Sequence, residues 1–297
     1  MELIDASGRP IRGDLVRRVV LRTDLTPIPA TVEIEVAINE TTTQAIRDGA
    51  VIKVGGQKIP FKISKPQVFA DSGSEQAGRV AGTIRAIGIH AGTAALAMPL
   101  QRSIIREGAS WSEIYRVIGA TSVVATDFAV PRFSAFIGST PTAMIAMVLQ
   151  EEAGAILLKD EKLHFRRLDE LMREKAAYSM DNDRTESVTS SMLERNQLPM
   201  VLTTSASAQI LIGARDTGRA LVYRPRADSR ILANMSKALL LRRKVKQGLS
   251  LGTNAGTRID IQGRPYVVIT AAHQWAQPGQ GADSGEFTQL WLGELSQ

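Results

Sequence analysis

Ala30-Thr31-Val32-Glu33-Ile34-Glu35-Val36-Ala37-Ile38 decides the fold class of this 297-residue chain. Its branched apolar residues fall at every second position, a period that puts Val32, Ile34, Val36 and Ile38 on one face of an extended strand and turns Glu33 and Glu35 to water. The rest of the first 95 residues repeats this style in windows of six to eight residues. Val51 to Val54 and Lys58 to Ile63 flank Gly55-Gly56, a pair able to take the positive φ angles of a tight hairpin. Val80 to Ile89 reads as another strand, with Gly82 and Gly88 suggesting bulges or a bent path.

Further along the chain the period changes. Ser110-Trp111-Ser112-Glu113 is a capping-box pattern that predicts a helix to Ile118, stopped by Gly119. Thr140-Pro141 opens a second helix with Met144, Met147 and Val148 as its apolar stripe, ending before Gly154. Ala155 to Leu158 and Lys162 to Leu168 then flank Asp160-Glu161 as a hairpin. Residues 173–208 are polar and read as a connection, with one strand near Met200 to Thr203. After it, Gln209 to Arg215 and Arg219 to Arg224 are strands around the turn Asp216-Thr217-Gly218. A helix is expected from Ser229 to about Leu239, then strands at Arg243 to Leu251, Thr257 to Ile261 and Tyr266 to Ala271, the last two around Gln262-Gly263-Arg264. Residues 277–285 read as loose, and Phe287, Leu290, Trp291 and Leu292 as a docked final strand.

The chain is thus expected to be mainly β, in three parts: 1–95 β, 96–180 an α/β insert, and 181–297 a second β region. Hydrophobic residues make up 44% and charged residues 22%, enough apolar material for a packed core. No cysteine is present, which removes disulfides, thiolate metal sites and thiol nucleophiles and suits assembly in a reducing cytoplasm. The opening Met1-Glu2-Leu3-Ile4-Asp5 carries acids where a secretory signal would carry bases, and no apolar run nears the roughly 20 residues of a membrane span, so a soluble protein is expected. The net charge of +6 is concentrated between Arg219 and Lys246, where nine cations, among them Arg224, Arg230, Lys237 and Arg242, face the single acid Asp228. Two readings compete there: a solvated edge or subunit contact, and a nucleic-acid groove. Tyr223 alone could stack on a base, which favours the first.

The same inspection argues against catalysis. His90, His164 and His273 are too widely separated to form a helical metal pair, and three ordinary strand or turn histidines are expected. No Gly-x-Ser-x-Gly elbow occurs; Asp71-Ser72-Gly73 and Asp283-Ser284-Gly285 read as turns. Gly252-Thr253-Asn254-Ala255-Gly256 lacks the Lys and Ser/Thr of a phosphate loop. The acid pairs Glu151-Glu152 and Asp160-Glu161 leave a glycosidase as the enzymatic alternative. No catalytic, cofactor-binding or metal-ligating residue is expected.

Three stretches carry a resemblance: Leu21-Arg22-Thr23-Asp24-Leu25-Thr26-Pro27-Ile28-Pro29-Ala30-Thr31-Val32-Glu33; the helix and Leu-x-Phe strand within Met144 to Leu168; and Asn234 to Trp275, ending in Gly263-Arg264-Pro265-Tyr266-Val267-Val268-Ile269-Thr270-Ala271-Ala272-His273. With the order β region, helical insert, helix plus hairpin, β region, the chain resembles phage tail baseplate hub proteins of the late control protein D family. It lacks the long, decorated form of secretion-system spike proteins. The resemblance implies two tail-tube-like β-barrel domains per chain and three chains around an axis, so that six barrels match a hexameric tail tube. It implies a virion structural protein that caps the tube, meets the tip spike, other baseplate proteins and the tape measure protein, and surrounds a lumen through which DNA passes. The alternatives are another tail-tip ring component such as a six-fold distal tail protein, or a nucleic-acid-binding module using the basic 219–246 region.

Overall fold

A computed structural model describes residues 1–56, 58–76, 79–189, 194, 198–205, 207–213, 219–225, 227–277 and 285–296. After β1 (Leu3–Ile4), β2 (Val16–Asp24) and β3 (Ala30–Ala37) form an antiparallel pair in which Leu21 lies opposite Val32. Val32, Ile34 and Val36 are buried and Glu33 is exposed, as the alternation demands. A short α1 (Glu40–Ala45) follows, capped by Asn39, whose side-chain oxygen accepts from the Thr42 amide at 2.7 Å. β4 (Val51–Val54) and β5 (Ile59–Gln76) meet in the expected hairpin, with Gly55 at φ +73°.

β5 is much longer than the sequence suggests, and it pairs with β6 (Arg79–His90). Gly88 makes no bulge: it stays in register with Val32 on one side and Ile63 on the other. A Cβ there would lie 2.8 Å from Val32 Cγ1 and 3.0 Å from Phe61 Cβ, so glycine is required by close approach. Register shifts fall in β5 instead, between Ser64 and Gln67 and between Ala70 and Glu75.

The middle third holds β7 (Ile104–Ser110), α2 (Trp111–Ile118), β8 (Val124–Thr126), β9 (Ala129–Ala135) and α3 (Pro141–Glu151), then β10 (Gly154–Lys159), β11 (Lys162–Arg167) and α4 (Leu168–Arg173). Ser110 caps α2 through the Glu113 amide, and Gly119 ends it at φ +107°. Glu113 does not complete the expected capping box: its carboxylate lies 3.5 Å from Arg106, while Asp127 accepts from the amides of Trp111 and Ser112 at 3.0 and 2.9 Å. In α3 the buried stripe is Pro141, Ile145, Val148 and Leu149, while Met144 and Met147 are only half-buried. Asp160 and Glu161, at φ +51° and +60°, make the predicted two-residue turn. Leu168 starts a helix and does not end the strand. Trp111 stacks on Phe165 at 5.7 Å, and Tyr115 meets the same ring edge-on at 5.1 Å. This aromatic cluster belongs to one hydrophobic core that also contains Val19, Ile34 and Phe61.

The polar stretch after residue 173 contains more strand than expected: β12 (Tyr178–Met180), β13 (Thr185–Ser187) and β14 (Met200–Thr204). β15 (Ile210–Ile212) and β16 (Leu221–Tyr223) do not pair as a hairpin; they flank β14, antiparallel and parallel respectively. The turn Asp216-Thr217-Gly218 lies outside the described residues, as do residues 278–284 of the stretch read as loose, which include Asp283 and Ser284. α5 (Ser229–Met235) is capped by Asp228 and ends four residues early, since Leu239 already belongs to β17 (Leu239–Gln247). β18 (Arg258–Ile261) and β19 (Arg264–Ala276) form the predicted hairpin on Gln262-Gly263, and β20 (Gly285–Leu295) is the docked final strand.

The strands assemble across the chain. The largest sheet runs β1-β4-β5-β6-β3-β2-β19-β20-β17-β13, with β18 and β12 branching from β19. The chain is mainly β, as expected; among the described residues no sheet closes into a barrel, and the two β halves share a single open sheet. Their seam is the antiparallel pairing of Arg18 through Asp24 with Thr270 through Ala276.

Candidate functional site

Most of the residues weighed for chemistry fall in separate places; His164, Asp160, Glu161 and part of the Gly252–Gly256 stretch border one cleft. His90 is buried beside the Phe61 ring, and burial pulls its imidazole down to about 4. His273 is enclosed between β19 and β20: its Nδ1 lies 3.0 Å from Thr288 Oγ1 and its Nε2 3.2 Å from Asn254 Oδ1. The Asn254 oxygen can only accept, so Nε2 carries the proton and Nδ1 accepts from Thr288. His164 pairs with Thr126 at 3.2 Å, its pKa lowered by partial burial and by Arg166 and Lys159. It lines a cleft of about 320 Å³ together with Asp160 and Glu161. Among the described residues no three His, Asp or Glu side chains converge as metal ligands, and no helix is long and apolar enough to cross a membrane.

The other acid pair is committed elsewhere. Glu152, at the C-terminal end of α3, is 3% exposed in its side chain and accepts from Arg230 at 2.8 Å and from both terminal nitrogens of Arg167 at 3.2 Å. That hydrogen bond raises the pKa of Arg230 further. Glu151 binds Arg224, and its backbone oxygen accepts from Asn234 at 3.0 Å. Asp169 of α4 takes Lys237 at 2.7 Å, and Arg242 meets Glu194 and Glu294. Lys246 covers the Phe287 ring at 3.9 Å. Much of the basic 219–246 window is therefore an internal ionic seam, which clamps α5 and the small sheet β15-β14-β16 to α3 and α4. Charge counting along the sequence could not show this, because the partner acids lie about 70 to 80 residues upstream.

What remains exposed is surface suited to contact. The solvent face of the large sheet presents Arg18, Glu33, Glu35, Arg85 and Ile87 around a groove of about 760 Å³. Arg85 bridges Glu35 and the Phe69 ring, and Val68, Phe69 and Ile87 are exposed large hydrophobics. Beyond the four residues of β5 paired to β4, its outer edge carries no further strand among the described residues. Two further apolar patches, at Phe136-Ile137 and on β15 and β16, were missed by the sequence reading. The available signals were an apolar pair directly before Gly138-Ser139 and the unbroken run Ile210-Leu211-Ile212.

No family model and no curated protein matches the sequence. Among solved structures the fold is matched nearly end to end. The tail protein from Neisseria meningitidis MC58 aligns over 99% of this chain and 95% of its own, with a TM-score of 0.64 at 12% identity. The 43 kDa tail protein of prophage MuSo2 from Shewanella oneidensis aligns over 98% and 97%, with a TM-score of 0.64 at 14% identity. The E. coli c3393 protein, a component of the type VI secretion system with structural similarity to the T4 bacteriophage tail proteins gp27 and gp5, aligns over 93% and 73%, at a TM-score of 0.52 and 10% identity. This chain has the fold of phage-type tail proteins.

Proposed function

We propose that the chain is a structural component of a phage tail, the tail-tip hub that caps the tail tube and joins it to the tip spike, and that it acts by assembly and not by catalysis. The observation that carries this reading is the open sheet that joins both β halves through β2 and β19. Two β halves held in fixed relation, with bare edges and a bare outer face, are the subunit that a closed ring requires. Three such chains contribute six halves, which suits a hexameric tube and leaves an axial passage for DNA. The nearly full-length likeness to tail proteins supports the same reading. The partners are then further copies, the tube protein, the spike and neighbouring baseplate proteins, with the tape measure protein inside. The place of work is the virion tail, after assembly in the host cytoplasm.

Native mass measurement and electron microscopy of the purified protein and of tails test it. Three-fold particles are expected; a chain that stays monomeric in every preparation overturns the reading, and six-fold particles would replace the hub by another ring component. Peptidoglycan turnover that Glu152→Gln abolishes would refute the non-enzymatic part.

A further inference from the structure

The chain leaves the large sheet after β13 and returns to it at β17, two strands paired with each other from Thr185–Val245 to Ser187–Arg243. The Val188 amide, donating to Arg242 O at 2.9 Å, extends this stem by one step. Between the two strands, the described part of residues 198–236 is a unit with its own core. Val201, Ala227, Leu232 and Met235 form a cluster separate from the one that holds Val19, Ile34 and Phe61. The unit is also bonded to itself: β14 carries β15 on one side and β16 on the other, and the Ala227 amide donates to Thr203 Oγ1 at 3.2 Å. An excursion whose ends lie side by side, with a core of its own, can move as one body without breaking the sheet that carries it.

Its attachments fall into two groups. Directly after α5, Ser296 holds the chain: its amide donates to Ala238 O at 2.8 Å and its hydroxyl to Ser236 O at 3.0 Å, while Lys237 binds Asp169 at 2.7 Å. That is a fixed point at the foot of the unit. The second group lies along α3. Arg224 binds Glu151 and donates to Met147 Sδ at 3.0 Å, Arg230 donates to Glu152 at 2.8 Å, and Asn234 donates to the Glu151 carbonyl at 3.0 Å.

Between these polar bonds the apolar walls do not close. Pro131, Met147 and Val148 on one side and Pro225, Ala227 and Ile231 on the other border a groove of about 660 Å³. Ser134, on the same groove, keeps a buried hydroxyl that has no hydrogen-bond partner among the described residues. An interface held by charges over an open groove gives up little apolar contact when it parts, and water can take over its hydrogen bonds. Parting also returns the buried Glu152 carboxylate to water, which offsets part of the loss of its ion pair with Arg230.

We propose that residues 198–236 form a latched arm, which pivots as one body at Ser236–Ala238 and is held against α3 by Arg224, Arg230 and Asn234. Opening uncovers Pro131, Met147 and Val148 and frees two guanidinium groups, while the large sheet keeps its register. The latch answers to the charge of Glu151 and Glu152. It needs no particular partner or assembly, so it stands apart from the tail-tip reading.

The absence of cysteine lets two spin labels be placed without background, one at Ile210→Cys on the arm and one at Ile87→Cys on the large sheet, both exposed positions. With α3 otherwise unchanged, electron–electron resonance should return a single distance. Adding Glu151→Gln and Glu152→Gln should bring in a second, shifted distance, with the β14 amides exchanging as slowly as before, because the arm keeps its own bonds. Should circular dichroism show that this variant does not fold, Arg224→Gln with Arg230→Gln, which alters the less buried side of the same pairs, is measured in the same way. An unshifted single distance in the folded variant overturns the latch. A second distance accompanied by fast exchange of the β14 amides overturns it as well, since the arm then melts and does not swing.

Discussion

His273 illustrates what a single residue contributes. It is enclosed at the seam of the two β halves, where its two ring nitrogens meet Thr288 and Asn254. Burial pulls both His273 and His90 down to about 4, whereas an unfolded histidine takes its proton near 6.5. Between these values the unfolded chain binds more protons, so stability is full above about pH 6.5, falls with falling pH, and loses nothing further from these groups below about pH 4. The separation corresponds to on the order of 3 kcal/mol per histidine. Urea midpoints measured from pH 7.5 to 4 should show the fall, and His273→Gln should remove about half of it; an unchanged slope in that variant would contradict the assignment. Gly88 is the second case. In Gly88→Ala the new methyl meets the backbone-anchored Phe61 Cβ and the Val32 methyl, neither of which can swing clear. A loss of about 1–3 kcal/mol is expected by chemical denaturation.

At the scale of elements, the hairpins and helix ends were readable because their signals are local. Asp160-Glu161 and Gln262-Gly263 supply positive φ where two strands must reverse, and Gly119 does so where a helix must stop. The paired strand β14–β16 was not readable: a parallel partner needs no turn between its members, so no residue advertises it. The capping of α2 by Asp127, 15 or 16 residues downstream, is hidden for the same reason. The ionic seam belongs to this scale too. Glu152 is buried while its partners Arg167 and Arg230 are about two-fifths exposed, so Glu152→Gln leaves cations that water can reach. A cost of about 1–3 kcal/mol follows from the lost charge-assisted hydrogen bonds. Proteolysis within residues 198–236 should quicken in this variant, because α5 and the small sheet lose their clamp; an unaltered cleavage pattern would argue against the clamp.

The whole molecule is organised by the β2–β19 pairing. A bond from Thr270 to Asp24 spans 246 residues, and the core that begins at Leu3 continues through Trp111 to Phe165. The first 95 residues are therefore expected not to fold alone, since β2 would lose β19, one of its two partner strands, and the core cluster they share with Trp111 and Phe165 would be cut. Circular dichroism and amide exchange of that fragment test this; a cooperative transition in the isolated piece would refute it. Most strands of the first and last thirds and the helix after Ser110 were legible in the sequence alone. Alternation and turn chemistry depend on neighbours two to four residues apart. Only the tertiary structure decided that the β halves share one open sheet, that the basic window faces acids of α3 and α4, and which apolar residues stay bare. Backbone hydrogen bonds are the same for every residue, so a strand's distant partner is chosen by the packing of the entire chain and leaves no mark in its own sequence.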